Sequence, residues 1–295
     1  MEHIQFNCQA SDGVQLCFEG WQPEGETRAV ICLVHGIGEH CGRYAHVGAA
    51  LAQAGYALLG FDLRGHGRSG GQRGHTPSYD ALMDDIGTLL DKAAERYPGL
   101  PRFLYGHSLG GNLVLNHALR RRPAIAGVVA SGPALRLAFE PPAVQLAIGR
   151  VLDRIWPTFS QSNGLDRSGL SHDPQVIRAY ESDALIHDRI TARMALSMLA
   201  AGQWALDHAA EFTLPLLIFH GGADRLTAPS GSQEFAGKVA ADCTLKLWDG
   251  LYHETHNEFQ KDEVLAFMIG WLDEHCLVKP DEQQPAAAPT ESAKG

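Results

Sequence analysis

The chain has 295 residues, of which 45% are hydrophobic and 20% are charged, so it can bury a core and is not a disordered polypeptide. Its 24 Lys and Arg residues against 34 Asp and Glu residues give a net charge of −10, which argues against a nucleic-acid partner. Its apolar stretches are far shorter than the roughly 18 to 20 residues that span a bilayer, so no transmembrane helix is predicted.

The N-terminus and the cysteines favour a cytoplasmic setting. The first five residues lack the basic and apolar regions of a secretory signal. The six cysteines include no C-x-x-C pair, so we expect reduced thiols. Cys41 has two interpretations, a reactive thiol beside a candidate catalytic loop or a small semi-buried residue.

Short β-rich runs alternate along the chain with longer segments of helical periodicity. Two of these segments, residues 79–97 and 258–272, carry apolar residues at the spacing of amphipathic helices. This alternation predicts an α/β fold with a mostly parallel sheet covered on both faces. The predicted strands are residues 14–21, 29–34, 56–62, 102–107, 125–131, 214–220 and 244–248.

The alternation breaks between Ser131 and about Phe212, where no clear strand is visible and an insertion is predicted. A helical apolar stripe within it faces a pocket, a membrane or the sheet, and the sequence leaves these alternatives open. The stripe consists of Val144, Ile148, Val151 and Ile155, with Arg150 and Arg154 beside it. Residues 279–295, with three prolines and a run of alanines, are predicted to be a disordered tail.

The pattern Gly-x-Ser-x-Gly, typical of a serine nucleophile, occurs twice, around Ser69 and around Ser108. The first copy is followed by no helical pattern. The second directly follows the predicted strand 102–107 and opens a helix, so its serine stands on a sharp turn with Oγ exposed. The helix N-terminus there can stabilise developing negative charge. Ser108 is therefore the predicted nucleophile.

A serine hydroxyl needs a base, and the base needs an acid to fix its tautomer. Asp224 comes just after the predicted strand 214–220, where a triad acid is expected. Asp242 and Asp249 are rivals, but the first precedes a strand and the second stands only four residues before His253.

The base follows the next predicted strand, residues 244–248. His253 and His256 are both candidates, and His253 is closer to the end of the strand. The oxyanion hole requires two backbone N–H groups, one from the residue after the nucleophile and one from an earlier loop. Leu109 and Ile37, the latter in a glycine loop at 35–38, are the predicted donors.

Four blocks together resemble the monoacylglycerol lipase and lysophospholipase branch of the α/β-hydrolases: residues 35–44, 61–69, 106–111 and 222–225. This resemblance implies an eight-stranded core with a helical lid inserted after the sixth strand, and it makes Ser69 a structural residue. The expected organisation is a first core segment at 1–131, the lid at 132–212, a second core segment at 213–278 and the tail at 279–295.

The resemblance also implies that Glu39, Arg43, Tyr180 and His256 hold the polar end of the substrate. Such a set suits a glycerol head, whose hydroxyls need donors and acceptors. The chain departs from the animal members after His253, where residues 254–258 are more polar.

The predicted protein is a serine ester hydrolase that releases a fatty acid from monoacylglycerol-like lipids through an acyl-enzyme. The expected partner is a small lipid ester, and no metal or organic cofactor is implied. A lysophospholipase or small-ester carboxylesterase with the same triad is the alternative, and a binding or scaffold protein on a hydrolase fold is a third reading. Weak peripheral membrane contact through the lid is a further hypothesis; the sequence makes no prediction of the oligomeric state.

Overall fold

The computed structural model describes residues 1–276, so the predicted tail at 279–295 lies outside the described residues. Within this range no helix is long and apolar enough to cross a membrane.

Eight strands form one sheet in the order β1-β2-β4-β3-β5-β6-β9-β10. The first two strands pair antiparallel with their neighbours, and the other pairs are parallel. The predicted eight-stranded, mostly parallel sheet is therefore confirmed. Its strands are β1 (Glu2–Gln9), β2 (Gln15–Gln22), β3 (Ala29–Val34), β4 (Tyr56–Phe61), β5 (Arg102–His107), β6 (Gly127–Ser131), β9 (Leu216–Gly221) and β10 (Cys243–Trp248).

Helices cover both faces of the sheet because its central strands alternate apolar side chains between two cores. In β3, for example, Val30, Cys32 and Val34 point into one core, and the intervening residues point into the other. The core helices outside the inserted segment are α1 (Ala45–Gln53), α2 (Tyr79–Arg96), α3 (Leu109–Arg121), α7 (Pro229–Lys238) and α8 (Lys261–Cys276). Helices α2, α3 and α7, together with α6 (Ala192–Asp207) of the inserted segment, cover the first core, and α1 and α8 cover the second.

Strand β1 is absent from the sequence prediction. It is an edge strand in which only Ile4 is buried. Its polar residues hide the strand pattern, although Phe6 pairs with Phe18 of β2 and the two rings stack. An edge strand with one solvated face gives too weak an apolar signal to be recognised.

The segment between β6 and β9 contains three helices and a small two-stranded antiparallel sheet, so the expectation of no strand there is wrong. Its helix α6 packs against α3, where the Asn112 and Asn116 side chains donate to the Met198 and Ala201 carbonyl oxygens, each at 3.2 Å. Histidine side chains also link the segment to the core. For example, Nε2 of His40 in the core lies 2.8 Å from Oδ2 of Asp183 in the segment. Its elements are α4 (Ala143–Ile155), β7 (Ser160–Ser162), α5 (Pro174–Ser182), β8 (Arg189–Thr191) and α6 (Ala192–Asp207).

The apolar stripe of α4 does not pack on the sheet. No residue of α4 is buried, and the four stripe residues are 56 to 73% exposed. The interpretation of the stripe as core packing is therefore wrong.

Candidate active site

Ser108 stands at the turn between β5 and α3 with φ +55°, a left-handed conformation that is rare for a residue other than glycine. Glycines on either side make the turn fit. A Cβ on Gly106 would collide with the Gly110 carbonyl, and a Cβ on Gly110 would collide with the Val34 carbonyl. The turn is therefore strained and closely packed, as the Gly-x-Ser-x-Gly pattern predicts.

The other Gly-x-Ser-x-Gly serine, Ser69, has a different environment. Its Oγ donates a hydrogen bond to the Asp62 carbonyl and accepts one of 2.8 Å from the Cys17 amide. The bond to Asp62 lies within the loop that follows β4, and the bond from Cys17 joins that loop to β2. Ser69 has the structural environment that the resemblance implies for it.

The structure brings His253 and Asp224 together at the same edge of the sheet. His253 Nδ1 donates to Asp224 Oδ2 over 2.6 Å, and both side chains are buried. Burial alone would lower the pKa of His253, but the adjacent Asp224 carboxylate outweighs it and raises this pKa above 6.5. Burial alone would raise the pKa of Asp224, but His253 and hydrogen bonds lower it strongly. Asp224 is therefore held as an anion.

Ser108 and His253 line the same two cavities. Among the hydrogen bonds of the described residues there is none between Ser108 Oγ and His253. Such a bond is often long without substrate and tightens when substrate binds. Because Nδ1 of His253 donates to Asp224, Nε2 is the ring nitrogen that is available to accept a proton.

The carboxylate of Asp224 has donors that the sequence did not reveal. Its Oδ1 accepts from the Leu226 and Thr227 amides at 2.7 and 3.0 Å. Its Oδ2 accepts from the Thr227 hydroxyl at 2.9 Å and lies 3.1 Å from Nε2 of His220. The Asp224 side chain is thus fixed from several directions.

His220 is fully buried at the end of β9. Its Nε2 lies 3.2 Å from the Thr227 carbonyl oxygen, which can only accept, so Nε2 carries a hydrogen. Its Nδ1 lies 2.8 Å from Ser232 Oγ and is free to accept from that hydroxyl. The only sequence signal for this role is a histidine four residues before Asp224 at a strand end.

The predicted oxyanion donors lie beside Ser108. No described residue accepts a hydrogen bond from the Ile37 amide or the Leu109 amide, whereas the neighbouring Gly36 amide donates to Glu39 at 2.6 Å. The Gly36 loop contacts the nucleophile, since a Cβ on Gly36 would stand 3.2 Å from Ser108 Cβ. Two unused amide donors are what an oxyanion hole requires.

A cavity of about 580 Å³ extends from Ser108 and His253 between the core and the inserted helices. Its size is typical of small-molecule sites. Most of its lining is apolar and comes from the core loops, α4 and α6, including Ile37, Leu137, Leu152, Leu196, Leu199 and Leu226.

A second cavity, of about 20 Å³ and with room for about one water molecule, is lined by the same two residues and is more polar. Glu39, Tyr180, His107 and Glu254 contribute to its lining. Burial and the neighbouring His253 lower the pKa of His107 to about 4, so this ring is neutral near pH 7.

Of the four predicted substrate-binding residues, Glu39 and Tyr180 line this polar cavity, and Arg43 and His256 do not. Arg43 instead forms a buried ion pair with Glu39 and a bidentate pair with Glu254, with both distances to Glu254 at 2.7 Å. Its Cζ lies 4.9 Å from the centre of the Tyr180 ring. Glu254, which sequence reasoning did not single out and which lines the cavity, thus fixes the position of Arg43.

His256 stacks on Tyr44 with 5.0 Å between ring centres and meets the edge of His107. Both of its ring nitrogens are buried without a partner among the described residues. Burial and His107 lower the pKa of His256 well below 6.5, so the ring is neutral.

The rival acids and the cysteine lie elsewhere. Asp242 pairs with His275 at 2.9 Å, and Asp249 is exposed. Cys41 is fully buried, and burial together with Asp62 raises the pKa of its thiol well above 9.0. A buried neutral thiol is not a reactive one, so the structure favours a packing role for Cys41.

The mostly parallel sheet between helices and the serine at its strand-to-helix turn define a serine hydrolase of the α/β-hydrolase fold. The model of the family described as serine aminopeptidase, S33, matches residues 25–260. The chain belongs to this family, and its predicted resemblance to monoacylglycerol lipases is confirmed by the relatives that follow.

The chain is 37% identical over 265 residues to the monoacylglycerol lipase of Mycolicibacterium smegmatis, covering 89% of this chain and 94% of that protein. The crystal structure of Paleococcus ferrophilus monoacylglycerol lipase superposes with a TM-score of 0.81 at 36% identity, covering 88% of this chain and 99% of that one. An uncharacterised abhydrolase domain-containing protein of Dictyostelium discoideum is 38% identical over 91% of this chain, which spans 29% of that protein's length.

Proposed function

We propose that this serine hydrolase releases a fatty acid from monoacylglycerol-like lipids through an acyl-enzyme. The observation that carries the proposal is that Ser108 and His253 line both a large apolar cavity and a small, more polar one. A monoacylglycerol has the same division, since its ester joins an acyl chain to a glycerol head. The similarity to two monoacylglycerol lipases supports it.

In the proposed reaction, Nε2 of His253 takes the proton of the Ser108 hydroxyl while Oγ attacks the ester carbonyl. The Ile37 and Leu109 amides donate to the oxygen that becomes negative in the tetrahedral intermediate. Asp224 keeps the hydrogen of His253 on Nδ1, so that Nε2 is free to accept the proton.

Collapse of the intermediate breaks the bond to the alcohol oxygen, and His253 gives its proton to the departing glycerol. The fatty acid is then esterified to Ser108 Oγ. Water, deprotonated by the same histidine, attacks the acyl-enzyme and releases the acid. No step requires a metal or an organic cofactor.

We place the glycerol head against Glu39 and Tyr180, in the small polar cavity, which has to widen from about 20 Å³ when substrate binds. Glu39 Oε1 already accepts from the Gly36 amide and from the Tyr44 hydroxyl at 2.9 Å, so its position is fixed. Arg43 acts by holding Glu39 rather than by binding the head directly, since its hydrogen bonds go to Glu39 and Glu254. This is a refinement of the sequence prediction for Arg43.

The same charges bear on the lysophospholipase alternative. The polar side carries two buried carboxylates, Glu39 and Glu254, against one guanidinium, and three of the five N–H groups of that guanidinium already donate to these carboxylates. A phosphate placed there would meet net negative charge without a free cation, which is unfavourable in a buried site. We therefore favour an uncharged head group.

The test is a parallel assay of monoacylglycerol, lysophosphatidylcholine and short p-nitrophenyl esters, with Ser108→Ala as the inactive control. We expect a higher kcat/KM for monoacylglycerol than for lysophosphatidylcholine. Activity confined to the short esters, or a preference for lysophosphatidylcholine, would contradict the proposal.

We further propose that residues 132–212 act as a lid whose α4 touches lipid surfaces peripherally. The exposed stripe of α4 continues into Trp156, which is 57% exposed. The chain's net charge of −10 argues against strong attraction to anionic lipids, so contact would rest on apolar insertion.

Flotation with zwitterionic liposomes tests this contact. Replacing Val151 and Ile155 by serine should reduce the bound fraction, whereas Phe259→Ser, at an equally exposed apolar residue outside the lid, should not. Wild-type protein that stays with the unbound fraction would refute the membrane proposal and leave the ester hydrolase proposal intact.

A further inference from the structure

Gly149 lies in the middle of α4 and lines the large apolar cavity. Gln145, Leu146 and Leu152 of the same helix also line it, at positions three or four residues away from Gly149. This spacing places the four residues on one face of the helix. Gly149 is therefore a position without a side chain on the face of α4 that lines the cavity.

The space at this position is open. A Cβ on Gly149 would meet only the two Cδ atoms of Leu196, at 3.9 and 4.0 Å, which is ordinary van der Waals contact. Leu196 belongs to α6 and lines the same cavity. A Cβ at position 149 would thus fit without collision, on a helix position that lines the cavity beside Leu196.

We propose that the missing side chain at Gly149 is what admits long acyl chains, and that this position determines the chain-length preference of the enzyme. The inference rests on the proposed function, because it takes the apolar cavity to be the acyl site. A glycine inside a helix is disfavoured relative to alanine, so its presence has a cost in helix stability. The additional cavity volume at position 149 offsets this loss of helix stability by making room for the acyl chain.

The physical argument concerns the far part of an acyl chain. The isobutyl group of a leucine at 149 would occupy space that chain methylenes need, and a mismatch of one methylene in an apolar pocket already changes kcat/KM by about tenfold or more. A short acyl chain does not need that space. The perturbation should therefore act on long chains selectively.

The experiment compares wild-type protein with Gly149→Leu, Gly149→Ala and the control Gly270→Leu. Gly270 is a helical glycine of α8 with no atom within 4 Å of its Cβ position, and it lies outside the cavity. The readout is the ratio of kcat/KM for palmitoyl over octanoyl substrates, measured with both monoacylglycerols and p-nitrophenyl esters. Thermal unfolding checks that each variant is folded.

We expect Gly149→Leu to lower this ratio by at least about tenfold, Gly149→Ala to lower it less, and Gly270→Leu to leave it unchanged. An unchanged ratio in Gly149→Leu, or an equal loss for both chain lengths, would overturn the inference. If Gly149→Leu does not fold, the Gly149→Ala variant is the test, and an unchanged palmitoyl-to-octanoyl ratio in Gly149→Ala would then overturn the inference.

The p-nitrophenyl series separates this inference from the proposed function. A wild-type enzyme inactive on every monoacylglycerol would refute the proposed function. The chain-length ratio on the p-nitrophenyl esters would still show whether Gly149 limits the acyl site.

Discussion

Replacing Asp224 with asparagine tests the proposed catalytic arrangement while changing a single atom. The Oδ1 atom of Asp224 accepts from the Leu226 and Thr227 amides, which can only donate. An asparagine must keep its carbonyl oxygen on those two donors. Its NH2 group then replaces Oδ2 and points at the rings of His253 and His220.

His253 must respond to this change. Two N–H groups cannot face each other, so Nδ1 of His253 loses its hydrogen and accepts from the new NH2 group. The hydrogen then sits on Nε2, on the side of Ser108. In this tautomer the ring cannot take the Ser108 proton.

The size of the effect follows from that tautomer. In the serine-protease triad the same replacement lowers kcat by about 10⁴, which at about 1.36 kcal/mol per tenfold corresponds to roughly 5.4 kcal/mol in the barrier. We expect a loss of this order for Asp224→Asn.

The assay is kcat on a monoacylglycerol and on a p-nitrophenyl ester, with Asp242→Asn and Asp249→Asn as controls for the rival acids. Both controls should stay within about twofold of wild type, since surface substitutions rarely perturb a structure. Thermal unfolding should remain cooperative in all three variants. An Asp224→Asn enzyme that keeps a tenth of its activity, or an Asp249→Asn enzyme that loses it, would refute the assignment.

Three other predictions use the same site. Because Asp224 raises the pKa of His253 above 6.5 and the base form is the active one, log kcat/KM should rise with pH through a value above 6.5; an inflection below 6.5 would contradict this. His220→Leu should lower kcat roughly 10- to 100-fold with little change in KM. His220→Gln, which keeps an N–H donor, should retain most of the wild-type kcat. Equal kcat values for the two variants would rule out a positioning role for His220. Arg43→Met should lower the free energy of unfolding, measured by urea denaturation, by about 3 to 5 kcal/mol. Arg136→Met, which breaks an exposed ion pair, should lower it by less than about 1 kcal/mol. Similar losses for the two variants would show that the Arg43 ion pairs are not buried.

Local features carried most of what the sequence could predict. The strand, the two flanking glycines and the following helix are adjacent in the chain, so the turn at Ser108 has a local signature. The parallel sheet was predictable for a similar reason, because strands buried on both faces are continuous apolar runs, as in Ala29–Val34.

Contacts between distant parts of the chain could not be predicted in this way. Glu254 meets Arg43 across 211 positions, and neither residue carries a sign of its partner. In the sequence, nothing distinguishes His220 from the other histidines among the 15, whereas in the structure its Nε2 lies 3.1 Å from Oδ2 of Asp224. The stripe of α4 shows the same limit, because periodicity gives a face of the helix without saying what covers it.

The central claim is that Ser108 is the nucleophile of an ester hydrolase, and covalent labelling tests it most directly. The folded protein is incubated with an alkyl fluorophosphonate, and the modified peptide is identified by mass spectrometry. We predict one adduct per chain on Ser108, absent from Ser108→Ala and slowed in Asp224→Asn. A label on Ser69, or no label on folded wild-type protein, would contradict the account.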